Sequence, residues 1–68
     1  MFIEIIDTYQ NLECCYRFDS REDIDSAIRM LLAFSHYDKG MILNDVLQIY
    51  IISRTGEKVK YSLESLVI

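Results

Sequence analysis

Proline is absent from the 68 residues, and glycine and cysteine occur only twice each. Without proline or runs of small polar residues the chain has no linker and no internal boundary, so residues 1–68 read as one domain. Cys14 and Cys15 are sequence neighbours. A disulfide between them would close almost no loop in strained geometry, so both are read as free thiols. Free thiols, and the lack of a cleavable charged-apolar segment at the start, predict a reducing, cytoplasmic setting. No apolar run approaches the roughly 20 residues of a membrane span, so no membrane partner is expected.

The same scarcity bears on chemistry. His36 is the single histidine, which leaves no histidine pair or triad and fits a helix C-terminal charge or a solvated side chain. Adjacent residues of a strand point to opposite faces, so Cys14 and Cys15 cannot share one metal ion. Gly40 and Gly56 each have a cap or turn role, and no glycine-rich phosphate loop exists. These absences predict a protein that is not an enzyme and takes no cofactor, metal or small-molecule substrate.

What is present is a foldable composition, with 51% apolar and 26% charged residues. The net charge of −4 is unevenly placed. Residues 1–25 carry seven acids against two arginines, whereas residues 26–68 carry four acids against five bases. The acidic first half would repel a phosphate backbone and the second has no dense basic stripe, so direct nucleic-acid binding is not expected.

Ser20, with Asp23 three residues on, reads as a helix start, and Glu22 and Asp23 favour the positive end of the dipole. Ile24, Ala27, Ile28, Leu31 and Phe34 or Ser35 follow on one stripe, and Lys39-Gly40 reads as the close, predicting a helix over 21–37. Residues 2–8 and 12–18 predict a hairpin about Gln10-Asn11, pairing Ile5 with Tyr16, Ile3 with Phe18 and Glu4 with Arg17. Cys14 then falls in the core. Asp7 also turns inward, near a hairpin end where fraying would solvate it.

Residues 46–54 and 57–63 predict a second hairpin. A type I turn over Ser53–Gly56 with Gly56 left-handed pairs Ile51 with Val59, Ile49 with Tyr61 and Leu47 with Leu63. The expected fold is therefore α+β, ββαββ, with one helix packed on a four-stranded sheet that can be antiparallel throughout if its order is 2-1-3-4. Met41–Asp45 is an apolar connection of unassigned structure.

One helix covers one face of such a sheet, and the other should be polar. Instead Phe2, Ile6, Cys15, Val46, Tyr50 and Ile52 fall on it, which predicts an interface unless Leu66, Val67 and Ile68 fold beneath. A homodimer through this face would support a core that supplies only roughly 3–5 kcal/mol in so small a chain. The function expected is a homodimeric regulator or inhibitor that also binds a further, unidentified protein. An alternative is an acidic decoy that mimics nucleic acid and occupies the basic site of a nucleic-acid-binding protein, using Asp7, Glu13, Asp19, Glu22, Asp23 and Asp25. A third possibility, a nucleophilic Cys15, lacks a nearby base. In length, acidity and lack of catalytic groups the chain resembles the compact accessory proteins of phages and mobile elements, although no motif specifies a family.

Overall fold

The structure, a computed structural model, describes residues 1–63. Six elements follow one another: β1 (Phe2–Asp7), β2 (Leu12–Arg17), α1 (Arg21–Phe34), α2 (Lys39–Leu43), β3 (Leu47–Ile52) and β4 (Lys58–Lys60). The strands form one antiparallel sheet in the order β2-β1-β3-β4, with the main helix against it. This is the expected ββαββ α+β arrangement, and the strand order is the one that makes it antiparallel throughout.

Local chemistry sets the boundaries. At the start of α1 the Ser20 hydroxyl accepts from the Asp23 N–H at 3.2 Å, satisfying one of the donors a helix leaves open. The helix stops at Phe34, three residues short of the predicted end, because the Ser35 backbone turns extended and its hydroxyl bonds back to the Leu31 carbonyl. Gly40 is accordingly not its cap. Asp38 opens α2 by accepting from the Met41 N–H at 2.9 Å, and Gly40 lies inside that short helix. The Met41–Asp45 connection thus contains most of a helical turn, which buries Ile42.

The second hairpin has the expected register, with Ile51 opposite Val59. Gly56 sits at φ +89°, and its N–H reaches the Ser53 carbonyl at 3.0 Å. The Tyr61 N–H continues the ladder to the Ile49 carbonyl at 2.7 Å.

The first hairpin is displaced by two residues from its expected register. Ile3 faces Tyr16, Ile5 faces Cys14 and Glu4 faces Cys15. Asp7 causes the shift: its Oδ1 accepts from the Tyr9 and Gln10 N–H groups at 3.0 and 2.9 Å. This closes the turn immediately after Asp7, with Asn11 at φ +58° completing it. A shift of two preserves which face each side chain occupies.

Ile3, Ile24, Ile28, Ile42, Leu47, Ile49, Ile51 and Tyr61 form the core. It sits between α1 and the two central strands and is closed on the β4 side by α2 and Tyr61. Every residue of β2 is exposed. Cys14 is therefore not a core residue, since the helix does not extend over its strand. Phe34, expected on the buried stripe, is 84% exposed.

Candidate functional site

Two polar anchors fix where α1 lies. On one flank the Tyr61 hydroxyl donates to Asp25 Oδ1 at 2.6 Å, and the Arg21 guanidinium lies 5.1 Å from the Tyr61 ring centre. The Tyr61 hydrogen bond is the main cause that holds the Asp25 carboxyl below its usual range. Burial, and then the Asp25 carboxylate, push the Tyr61 phenol up to about 12. At the helix's far end, the Tyr37 hydroxyl donates to Asp7 Oδ2 at 2.7 Å. The Gln10 N–H, then Tyr37, hold the Asp7 carboxyl below its usual range.

The first anchor draws α1 toward β3 and β4. An α-helix with its side chains is about 10 Å across, whereas four strands span roughly 15–20 Å. A strip of sheet over β2 is left bare.

That strip is a groove of about 300 Å³ between β2 and α1. Cys14, Tyr16 and Phe18 form its floor, Ile3 and Ile5 its inner side, and Ala27, Ile28 and Leu31 the helix wall, with Tyr37 at one end. Leu12 continues the floor, because alternate residues of a strand share a face. At 100° per residue, Met30 and Phe34 fall on the Ala27 side of the helix and extend the wall. Leu12 is 50%, Tyr16 51% and Met30 60% exposed. Tyr16 lines the groove, and periodicity places the exposed Leu12, Met30 and Phe34 on the same strand face and helix side; apolar exposure gathered in this way marks binding surfaces. The lining carries little polarity, and the Tyr16 phenol is held above its usual pKa chiefly by the neighbouring Cys14 side chain.

The rim of the groove is an open backbone edge. The Phe18 N–H reaches the Met1 carbonyl at 2.8 Å, so even-numbered residues of β2 bond to β1. Glu13, Cys15 and Arg17 therefore turn their N–H and C=O groups outward. The opposite edge, β4, is three residues long and carries Lys58 and Lys60, features that discourage strand addition. β2 is six residues long and contains neither lysine nor proline.

The residues expected at an interface lie elsewhere. Phe2 faces Ile52 across the two central strands, and Glu4 faces Cys15 on one side and Tyr50 on the other. Phe2, Ile6, Cys15, Val46, Tyr50 and Ile52 share the outer face, with Glu4 and Gln48 between them. The Lys58 ammonium sits 2.7 Å from Glu4 Oε1 and 4.7 Å from the centre of the Tyr50 ring. Glu4 Oε1 is buried without an aligned hydrogen bond, so the pair is held by charge. It keeps the Lys58 ammonium above its usual pKa. The middle of this face is therefore polar. Leu63 packs on the core, while Leu66, Val67 and Ile68, the alternative cover for the outer face, lie outside the described residues.

The acidic set is divided. Asp7 is 2% exposed and bonded on both oxygens, so it is neither frayed nor part of an acidic surface. Asp25 is engaged by Tyr61 and Arg21. Glu13, Asp19, Glu22 and Asp23 remain exposed. His36 contacts Gln10 and the Tyr37 ring. Among the described residues no three metal-ligating side chains cluster, and no helix is long and apolar enough to cross a membrane. Sequence reasoning missed the groove because it let one helix cover four strands. The widths given above, set against the Leu12-Cys14-Tyr16 alternation, were the signal that could have found it. No protein-family model, curated protein or solved structure matches this chain.

Proposed function

We propose that this chain is a small, non-enzymatic, cytoplasmic protein-binding module, a regulator or inhibitor, that takes an extended segment of a partner along β2. The observation that carries this reading is the pairing of an open six-residue edge, free of lysine and proline, with an apolar groove along the same strand. The edge supplies main-chain hydrogen bonds and the groove supplies seats for alternate side chains, which together make up strand addition. Leu12, Tyr16 and Met30, each roughly half buried already, would contribute about 1 kcal/mol apiece on full burial, before the cost of association. The edge is preferred to the outer face because the half-exposed Lys58 ammonium, paired there with an already buried Glu4 oxygen, would have to be desolvated. The acidic-decoy alternative keeps only four of its six acids exposed and has no basic counterpart to argue from.

Photo-crosslinking in the native cell extract tests this reading. A benzophenone amino acid at Tyr16 is expected to give discrete protein adducts, and the same group at Tyr50 few. Adducts at Tyr50 alone would move the site to the outer face. No adducts at either position would remove the binding-module reading.

A further inference from the structure

Resting on that reading, we infer that the segment β2 accepts is β2 of a second copy, paired antiparallel about a two-fold axis through Cys15. The argument is one of register. A symmetric antiparallel pair places its axis perpendicular to the sheet, with opposed residues on the same face. The axis must therefore pass midway between one residue of β2 and the same residue of the mate, which leaves few choices.

Centred on Cys15, Glu13 faces Arg17 of the mate, Cys15 faces Cys15, and Arg17 faces Glu13. All three outward-turned residues then pair, each pair exchanging two hydrogen bonds. Two opposite-charge cross-strand pairs form at the same time. Centred on Cys14, Arg17 would face Asn11, whose φ of +58° takes it out of the strand, and Glu13 would lose its countercharge. Centred on Tyr16, Glu13 would face Asp19, an acid beyond the strand end. Centred on Glu13 or Arg17, like charges would meet. Only the Cys15 register satisfies backbone and charge together.

On the helix side this register sets Cys14 against Tyr16 of the mate and Leu12 against Phe18. The two apolar floors then run together across the axis, and the half-exposed Leu12 and Tyr16 gain apolar neighbours. The sheet becomes eight-stranded, ending on both sides at the lysine-bearing β4 edges. Opposed residues in a hydrogen-bonded pair have Cα atoms about 5.5 Å apart, so the two Cys15 thiols lie within reach of the shortest bifunctional thiol reagents.

Sedimentation equilibrium under reducing conditions, across protein concentration, tests the assembly, with circular dichroism as a check that each variant folds. The wild type is expected to dimerise. Glu13→Arg alone and Arg17→Glu alone each place like charges opposite one another twice, and each should weaken the dimer about tenfold or more. Mixing the two variants restores complementary pairs across the axis and should recover dimer as a heterodimer. In addition, Cys14→Ser should crosslink through a short bis-thiosulfonate faster than Cys15→Ser, because two Cys15 residues face each other directly whereas two Cys14 residues are diagonal neighbours about 7–8 Å apart.

A dimer indifferent to both charge changes, or crosslinked faster through Cys14 than through Cys15, overturns the register. A wild type that stays monomeric at every concentration overturns self-pairing. If Tyr16 then still captures a different protein in the photo-crosslinking experiment, the binding reading stands without its homodimer. If it captures nothing, both fall.

Discussion

Replacing Tyr61 with phenylalanine removes one oxygen from the structure, and its consequences can be followed through pH. The ring is 3% exposed, so its packing is retained, and only the hydroxyl bond to Asp25 at 2.6 Å is lost. A hydrogen bond to a charged group is worth about 1.5–3 kcal/mol. Asp25 keeps its Arg21 contact at 3.2 Å and some access to water, which places the cost at the lower end, about 1.5 kcal/mol. For a domain of this size that corresponds to a fall of about 6–12 °C in Tm.

The cost should depend on pH at both extremes. Asp25 has a lowered folded-state pKa, so its stabilisation is present above the unfolded value of 3.8 and is lost as pH falls through the folded one. Tyr61 has a raised folded-state pKa, so its stabilisation is complete below 10 and is lost as pH rises toward about 12. The Tm difference between wild type and Tyr61→Phe should thus be a plateau through neutral pH that narrows in strong acid and strong base. Thermal unfolding followed by far-ultraviolet circular dichroism measures it. A difference that is absent, or constant across the whole range, refutes the assignment of this bond as the anchor of α1.

Other substitutions probe the remaining supports. Ser20→Ala removes the α1 cap and should cost about 1 kcal/mol in urea unfolding without changing the m-value. In Gly56→Ala the new methyl meets nothing within 4 Å, but the φ of +89° stays unfavourable, so a loss of about 1 kcal/mol is expected from backbone strain alone. Ile28→Ala empties a fully buried site and should cost about 2–5 kcal/mol, enough to leave much of this small domain unfolded at room temperature. Tyr16→Ser, on the bare strip, removes a half-buried ring and should cost monomer stability about 1 kcal/mol, less than Ile28→Ala, and comparison of the two unfolding midpoints separates core from groove.

How far the sequence disclosed this molecule depended on whether a signal was local. The Ser20 cap, the Ile24-Ala27-Ile28-Leu31 stripe and the Gly56 turn each carry their geometry in adjacent residues, and α1 and the second hairpin begin or close where those residues indicate. The end of α1 was misread because Lys39-Gly40 looks like a helix close, whereas Asp38 uses it to open α2. In the first hairpin, Asp7 supplies two side-chain hydrogen bonds that override the register suggested by Gln10-Asn11, and nothing in the apolar pattern reports them.

The candidate site was less legible still. The alternation of Phe2, Ile6, Tyr50 and Ile52 identified the outer face correctly as a face, but not the Glu4–Lys58 pair that divides it. The groove follows from the lateral position of α1, which is set by contacts between residues as far apart as Asp25 and Tyr61. No local reading contains that distance.

Amide hydrogen exchange along β2, resolved residue by residue as protein concentration rises, tests the central claim most directly. In dilute solution the inward-bonded Cys14 and Tyr16 amides should exchange slowly and those of Glu13, Cys15 and Arg17 rapidly. Raising the concentration should protect all three of the latter together. Rapid exchange at Glu13, Cys15 and Arg17 at every concentration would contradict the account.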